Sequence, residues 1–313
     1  MIRRCFTLPA VALSFALSLV LAAPASAATK TTTLVPKKTS SGSDAVPVRK
    51  ATPVEKPSSA NPYVLDPSGR APQVRAAAAI LIDANSGEVL LDANADARRP
   101  VASTQKLLTS LVVVEAGSLT QDVQVASADT WTEPSMLYIK PGEVYTRQKL
   151  VQILLVHSMN DVARCLARDN AGSVEDFAYR MNAKAQQLGM SNSHFLNPNG
   201  LPIDGQYSTA RDMSKVAMAA YRNRFIRNTV CMKSMTWRYN DGREKSFDTT
   251  NRVLKNYTLC NGMKTGYTNA AGHCLISSAS DGRRDVIAVV LGAGRDAIWA
   301  DSYRLLAWGL NKR

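Results

Sequence analysis

The chain has 313 residues, of which 45% are hydrophobic, and a formal net charge of +13. Its charge forms no basic stripe interleaved with aromatics and its cysteines have no zinc-finger spacing, so nucleic acid is not an expected partner. Its three histidines, His157, His194 and His273, lie far apart with no His-Glu-x-x-His pattern; a zinc peptidase is not expected, and no metal or other cofactor is.

The first residues read as a signal peptide, residues 1–27. Arg3 and Arg4 precede an apolar run over 5–22, which contains Pro9 and ends at the small-residue site Ala25-Ser26-Ala27. A cleaved signal fits this pattern better than a retained span, and no other stretch is long and apolar enough to cross a bilayer. The mature protein is therefore expected to be exported, to a periplasm or a cell wall. Residues 28–72 hold 7 of the 14 prolines, with much Ser, Thr and Ala and almost no large apolar residue. Such a segment cannot bury enough surface to offset its ordering entropy and reads as a tether. Residues 1–70 carry 9 Lys and Arg against 3 Asp and Glu, so the tether is basic; it suits anionic envelope polymers or lipid headgroups, and reads equally as a solvated linker whose charge aids solubility. Folding is expected from about Gln73, giving one domain over 73–313.

Within that domain, 76–94 reads as a hairpin around Asn-Ser-Gly, followed by a helix from Ser103 to about Gly117. Residues 146–169 give two helical stretches separated by Ser158-Met159. A helix over 173–189 has Ser173 as cap, Asp176 three residues on and Gly189 at its end; another over 208–223 starts at Ser208 or Thr209. Strands then dominate: a hairpin about Asp241-Gly242, further strands at 263–267, 272–280 and 285–293, and a last helix over 296–310. This order suggests an α+β fold, an antiparallel sheet flanked by helices with an inserted helical lobe. Cys165, Cys231, Cys260 and Cys274 remain after signal loss and permit up to two disulfides, although Cys165 in a buried helix equally reads as a free thiol.

A hydrolase without a histidine base needs another one. Ser103 and Lys106 lie at i and i+3 on one helix face, where an amine can reach a hydroxyl. The helix N-terminus and partial burial both disfavour the charged lysine, which makes it a base. Alone the pair is a weak signal, since a Ser-x-x-Lys arises about once by chance in such a chain. Ser158 and Asn160 form Ser-Met-Asn in the break between two helices, where a hydroxyl and an amide can relay a proton and hold a carbonyl. Asn160 also reads as a plain helix cap. Lys264-Thr265-Gly266 sits on a strand, where it can bind a carboxylate and admit a substrate backbone; as a lone triplet it reads as an edge-strand lysine.

In this order and spacing the three motifs resemble those of the serine penicillin-binding proteins and related β-lactamases. The stretches 139–163, 175–202, 207–213 and 262–275 look like the D-alanyl-D-alanine carboxypeptidases of low molecular mass, a likeness that covers about residues 74–311. The resemblance implies a β-lactamase/transpeptidase-like fold, with Ser103 as acylated nucleophile, Lys106 as its base and Ser158 as proton relay. It implies that Asn160 positions the acyl chain, that Lys264 and Thr265 bind the terminal carboxylate beside Gly266, and that the N–H groups of Ser103 and Tyr267 form an oxyanion hole. The implied substrates are peptidoglycan stem peptides cut at D-Ala–D-Ala, with β-lactam antibiotics as inhibitors. Met159 replaces a smaller residue, which suggests a narrower or more apolar entrance. The sequence ends soon after its last helix, so no C-terminal β domain or membrane anchor is expected, and a D,D-endopeptidase acting on crosslinks stays open. A β-lactamase fits less well, because Glu133 precedes Ser158 where such enzymes use a glutamate after it. A non-catalytic wall-binding protein would have no physical need to keep Ser103, Lys106, Ser158, Asn160 and Lys264 together.

Overall fold

The structure, a computed structural model, describes residues 69–312; the expected signal peptide over 1–27 and residues 28–68 of the expected tether lie outside the described residues. Five antiparallel strands form the main sheet: β1 (Ala78–Asp83), β2 (Val89–Ala93), β7 (Cys260–Thr268), β8 (Gly272–Ser280) and β9 (Asp285–Ala293), in the order β2-β1-β9-β8-β7. Strands β1 and β9 are near-continuous apolar runs because helices cover both their faces. Ala78, Ile80, Ile82, Ile287 and Val289 point into a core shared with the helical lobe. Their neighbours Ala79, Leu81, Val286, Ala288 and Val290 pack instead with Ile298, Leu305 and Leu306 of the terminal helix α8 (Ala297–Asn311).

The lobe between β2 and β7 contains α1 (Lys106–Glu115), α2 (Arg147–His157), α3 (Asn160–Ala171), α4 (Val174–Gln187) and α5 (Ala210–Arg222). Two helix starts follow from the cap residues. Ser173 Oγ accepts from the Asp176 amide at 2.9 Å, and of the two candidates before α5 it is Thr209 whose Oγ1 accepts from Asp212, at 3.0 Å. The hairpin at Asp241-Gly242 is present as β5 (Ser234–Arg238) and β6 (Glu244–Asp248), forming a separate two-stranded sheet.

Four differences from the sequence reading stand out. The expected Ser103 helix begins instead as a 3-10 turn over Ala102–Gln105, and α1 proper starts at Lys106. Two short helices, α6 (Arg224–Val230) and α7 (Arg252–Asn256), had been missed; at seven and five residues they show too little periodicity to read, although Asn223 and Asn251 cap them. A small ladder pairs β3 (Asp122–Gln124) with β4 (Val144–Thr146). The four described cysteines are free thiols, with Cys165, Cys260 and Cys274 buried and Cys231 exposed, so neither of the two permitted disulfides is formed. Burial pushes the Cys274 thiol up to about 11, which keeps it protonated and inert.

One buried carboxylate closes the fold on itself. Asp301 of α8 accepts from the backbone amides of Arg75 and Ala76 at 2.8 and 3.2 Å and from the Arg304 guanidinium at 2.7 Å. Trp308 Nε1 adds a bond to the Gly69 carbonyl at 3.0 Å. Among the described residues no helix is long and apolar enough to cross a membrane.

Candidate active site

The apolar residues of α1 that the sequence assigned to the core, Leu107, Leu108 and Leu111, are buried and hold the turn before them in place. Lys106 is itself 0% exposed, and its Nζ lies 2.8 Å from Ser103 Oγ. The same nitrogen donates to Asn160 Oδ1 at 2.6 Å and to the Asn199 carbonyl at 2.9 Å. Burial, helped by the nearby Lys264 charge and opposed by Asp161, holds its pKa well below the ordinary lysine range. An amine whose pKa is so lowered, set beside a serine hydroxyl, has the arrangement that a general base needs.

Ser158 ends α2 in the left-handed region, with φ of 73°, and Asn160 opens α3, so the Ser-Met-Asn stretch is the inter-helix break that the sequence suggested. The Asn160 side chain does not cap α3. Its Nδ2 donates to the Pro134 carbonyl at 2.6 Å, while its backbone amide donates to the Ser135 carbonyl at 2.8 Å. Met159, expected to make the entrance narrower or more apolar, is 3% exposed and packs against the core while contributing to the lining of the cleft.

Lys264 lies on β7, an edge strand as anticipated, yet it is 1% exposed and does not guard that edge. Its Nζ donates to the Thr265 carbonyl at 2.9 Å, and burial lowers its pKa to about 7. Thr265 Oγ1 shares a short hydrogen bond with Thr250 Oγ1. Gly266 lies against the serine turn: a Cβ there would meet the Ser103 amide nitrogen at 2.8 Å. Tyr267 follows, 56% exposed, with its ring 4.4 Å from that of His273 between centroids.

Ser103, Ser158, Thr265, Gly266 and Tyr267 line one cleft of about 480 Å³, together with Ser135, Met136, Lys245, Phe247, Thr250, His273 and Trp299. Lys106, Asn160 and Lys264 are all buried, and the bonds of Lys106 reach Ser103 and Asn160 from beneath the cleft. All eight residues singled out in the sequence therefore converge. Sequence reasoning missed Asn199, whose backbone carbonyl carries no residue-type signal, and Asp161, which looks like an ordinary acidic first-turn residue. It also missed Lys245 and Phe247, which the β5–β6 hairpin brings in from far along the chain. Among the described residues lining the cleft none is acidic, and Glu133 is exposed outside it. Among the described residues no cluster of His, Cys, Asp and Glu could hold a metal.

The burial of Lys264 has a stability cost that depends on pH. Its folded pKa of about 7 lies below the unfolded value of about 10.4, so between the two the unfolded chain binds the extra proton and stability rises with pH. Lys264→Met is therefore expected to gain roughly 1–3 kcal/mol at pH 6, after allowing for the Thr265 carbonyl left without its donor, and the gain shrinks towards pH 10. Urea unfolding of both proteins at the two pH values checks this; a gain that does not fall with pH would refute it.

A family model described as D-alanyl-D-alanine carboxypeptidase matches residues 66–295. The chain belongs to that family. The D-alanyl-D-alanine carboxypeptidase DacA of Escherichia coli is 35% identical over 255 residues, which cover 76% of this chain and 61% of DacA. The chain thus spans under two thirds of that relative's length. A D-alanyl-D-alanine endopeptidase of Pseudomonas aeruginosa is 31% identical over 242 residues, covering 75% of this chain and 77% of the relative. Among solved structures, the Streptomyces K15 DD-transpeptidase matches with a TM-score of 0.73 and 28% identity, over 78% of this chain and all of that one. The expected α+β peptidase fold is thereby borne out.

Proposed function

We propose that this family member is an exported serine D,D-carboxypeptidase that hydrolyses the terminal D-Ala–D-Ala bond of peptidoglycan stem peptides. The observation that carries the reading is the wholly buried Lys106 Nζ placed 2.8 Å from Ser103 Oγ. Neutral Lys106 takes the Ser103 proton as Oγ attacks the penultimate D-Ala carbonyl carbon, and the developing oxyanion meets the N–H groups of Ser103 and Tyr267. As the tetrahedral carbon collapses, the C–N bond breaks and Ser158 gives its hydroxyl proton to the leaving D-Ala amine while taking up the one held by Lys106, which leaves Lys106 neutral. Water then attacks the Ser103 ester, with Lys106 again as base, and releases the shortened peptide. Lys264 and Thr265 hold the terminal carboxylate, Asn160 aligns the acyl chain, and Gly266 lets the substrate backbone close on the turn. A β-lactam acylates Ser103 in the same way, but its amine stays tethered and blocks the water.

The leader over 1–27, the basic tether over 28–72 and the catalytic unit over 73–313 complete the proposal. The tether lets the enzyme rest against anionic wall polymers. A second reading is D,D-endopeptidase; besides the motif residues the cleft is lined by His273 and Trp299, which offer further surface to a peptide. The likeness to the Pseudomonas endopeptidase over most of both chains supports it too.

The test incubates the protein with a pentapeptide, with crosslinked dimers and with a fluorescent penicillin. Release of D-Ala, together with labelling that vanishes in Ser103→Ala, is expected; cleavage of dimers alone selects the endopeptidase. Persistent label on Ser103→Ala, or none on the wild type, removes both readings. Rapid turnover of a chromogenic cephalosporin would mark a β-lactamase instead.

A further inference from the structure

The segment 134–139 at the cleft mouth is an irregular loop in which two non-glycine residues, Ser135 and Tyr138, have φ of 61°. Such backbone strain persists only where the surroundings enforce it. Over 137–139 the loop is held by one buried carboxylate, that of Asp161, which is 0% exposed. Its Oδ1 accepts from the amides of Leu137 and Val162 at 3.0 and 2.9 Å, and its Oδ2 from Tyr138 and Ile139 at 2.8 and 3.4 Å. From the far side, Tyr239 Oη donates to the Leu137 carbonyl at 3.1 Å. The loop so held offers the Pro134 and Ser135 carbonyls that fix Asn160, and Asn160 in turn holds Lys106.

We infer that Asp161 is the positioning residue of the site, setting Lys106 against Ser103 through the 134–139 loop and Asn160. This rests on the D,D-peptidase reading above. Four N–H donors converge on one side chain, and only a carboxylate offers acceptors on both oxygens; an amide would turn its NH2 group against two of them. The charged groups whose field reaches Lys106 are Lys264 on β7 and Asp161 on α3, with opposite effects. Asp161 therefore acts on Lys106 twice, by geometry and by charge.

The test measures the second-order rate of acylation by a fluorescent penicillin across pH for the wild type, Asp161→Asn and Tyr239→Phe, with a thermal melt of each. Asp161→Asn is expected to slow acylation on the order of 10²-fold, the effect of a misplaced catalytic group. Its acid limb is expected to move to lower pH, because losing the anion makes Lys106 easier to deprotonate. Tyr239→Phe loosens the same loop but keeps the charge; it is expected to slow acylation about fivefold with the acid limb unmoved. Asp161→Asn with the wild-type rate, or slowed with an unmoved acid limb, overturns the inference. If Asp161→Asn does not fold, Tyr239→Phe at the wild-type rate overturns it. A wild type that takes no label brings down the peptidase reading and this inference with it; a labelled wild type with an unaltered Asp161→Asn brings down this inference alone.

Discussion

Lys106→Met is expected to fold and to lose acylation by a β-lactam on the order of 10³-fold, the usual contribution of a general base. Ser103 keeps its place, since its Oγ also donates to the Asn199 carbonyl at 3.2 Å. What disappears is the proton acceptor. In the wild type the acylation rate is expected to rise with pH as Lys106 loses its proton, with a midpoint well below the ordinary lysine range because burial and Lys264 both oppose the charge. The variant has no such limb. Its stability separates it from Lys264→Met, although both remove a buried amine. Lys106→Met removes two bonds, leaving Asn160 Oδ1 without its Lys106 donor, at about 1–3 kcal/mol, and the Asn199 carbonyl with the Ser103 hydroxyl, which offsets part of the gain from removing a desolvated charge. Lys264→Met removes one bond only. Stopped-flow acylation and urea unfolding of both variants check the pair; a Lys106→Met protein that acylates within tenfold of wild type would mean the base lies elsewhere.

Gly200→Ala and Gly266→Ala are expected to break the site in different ways. The two glycines press on the Ala102–Ser103 peptide. A Cβ on Gly200 would sit 2.1 Å from the Ala102 carbonyl oxygen, while one on Gly266 would sit 2.8 Å from the Ser103 nitrogen. Gly200 also has φ of +84°, so alanine there adds backbone strain to a backbone clash. A loss of roughly 3–5 kcal/mol, and a melting temperature lower by roughly 10 °C, is expected. Gly266 has an ordinary φ, and β7 as an edge strand can yield by a few tenths of an ångström. Gly266→Ala should therefore cost at most about 2 kcal/mol yet slow acylation about 10²-fold, because the yielding strand carries Tyr267 away from the serine turn. Calorimetry and acylation rates together distinguish the two; a Gly266→Ala enzyme as fast as wild type would show that the close approach is not needed for the chemistry.

The side chains of this site were legible because their roles depend on residue type and spacing. Ser103 and Lys106 needed only the i, i+3 relation, and that survives even though the serine sits in a 3-10 turn and not in α1. The contributions of Asn199 and Gly200 were hidden because a carbonyl and an absent Cβ belong to the fold, not to the alphabet. A lysine on an edge strand ordinarily reaches for water, and Lys264 does not, because long-range packing overrides the local expectation. Among the elements, the long caps and hairpins announced themselves: Ser173, Thr209 and Asp241-Gly242 all act as their chemistry suggests. The short α6 and α7 did not, since one or two turns leave no period to read.

The contact between Asp301 and the amides of Arg75 and Ala76, with Trp308 on Gly69, brings the two ends of the described chain side by side. Topologically the peptidase unit is close to a ring. Trimming α8 would remove Leu305 and Leu306 from the sheet and leave the lead into β1 without its acceptor, so the last helix is not a dispensable tail. A circular permutant is a different matter. With residues 69 and 312 joined by a short linker, the chain could open between Gly282 and Arg283, both exposed in the turn between β8 and β9. No residue of the cleft lies on that turn, and every strand of the sheet would keep its partners.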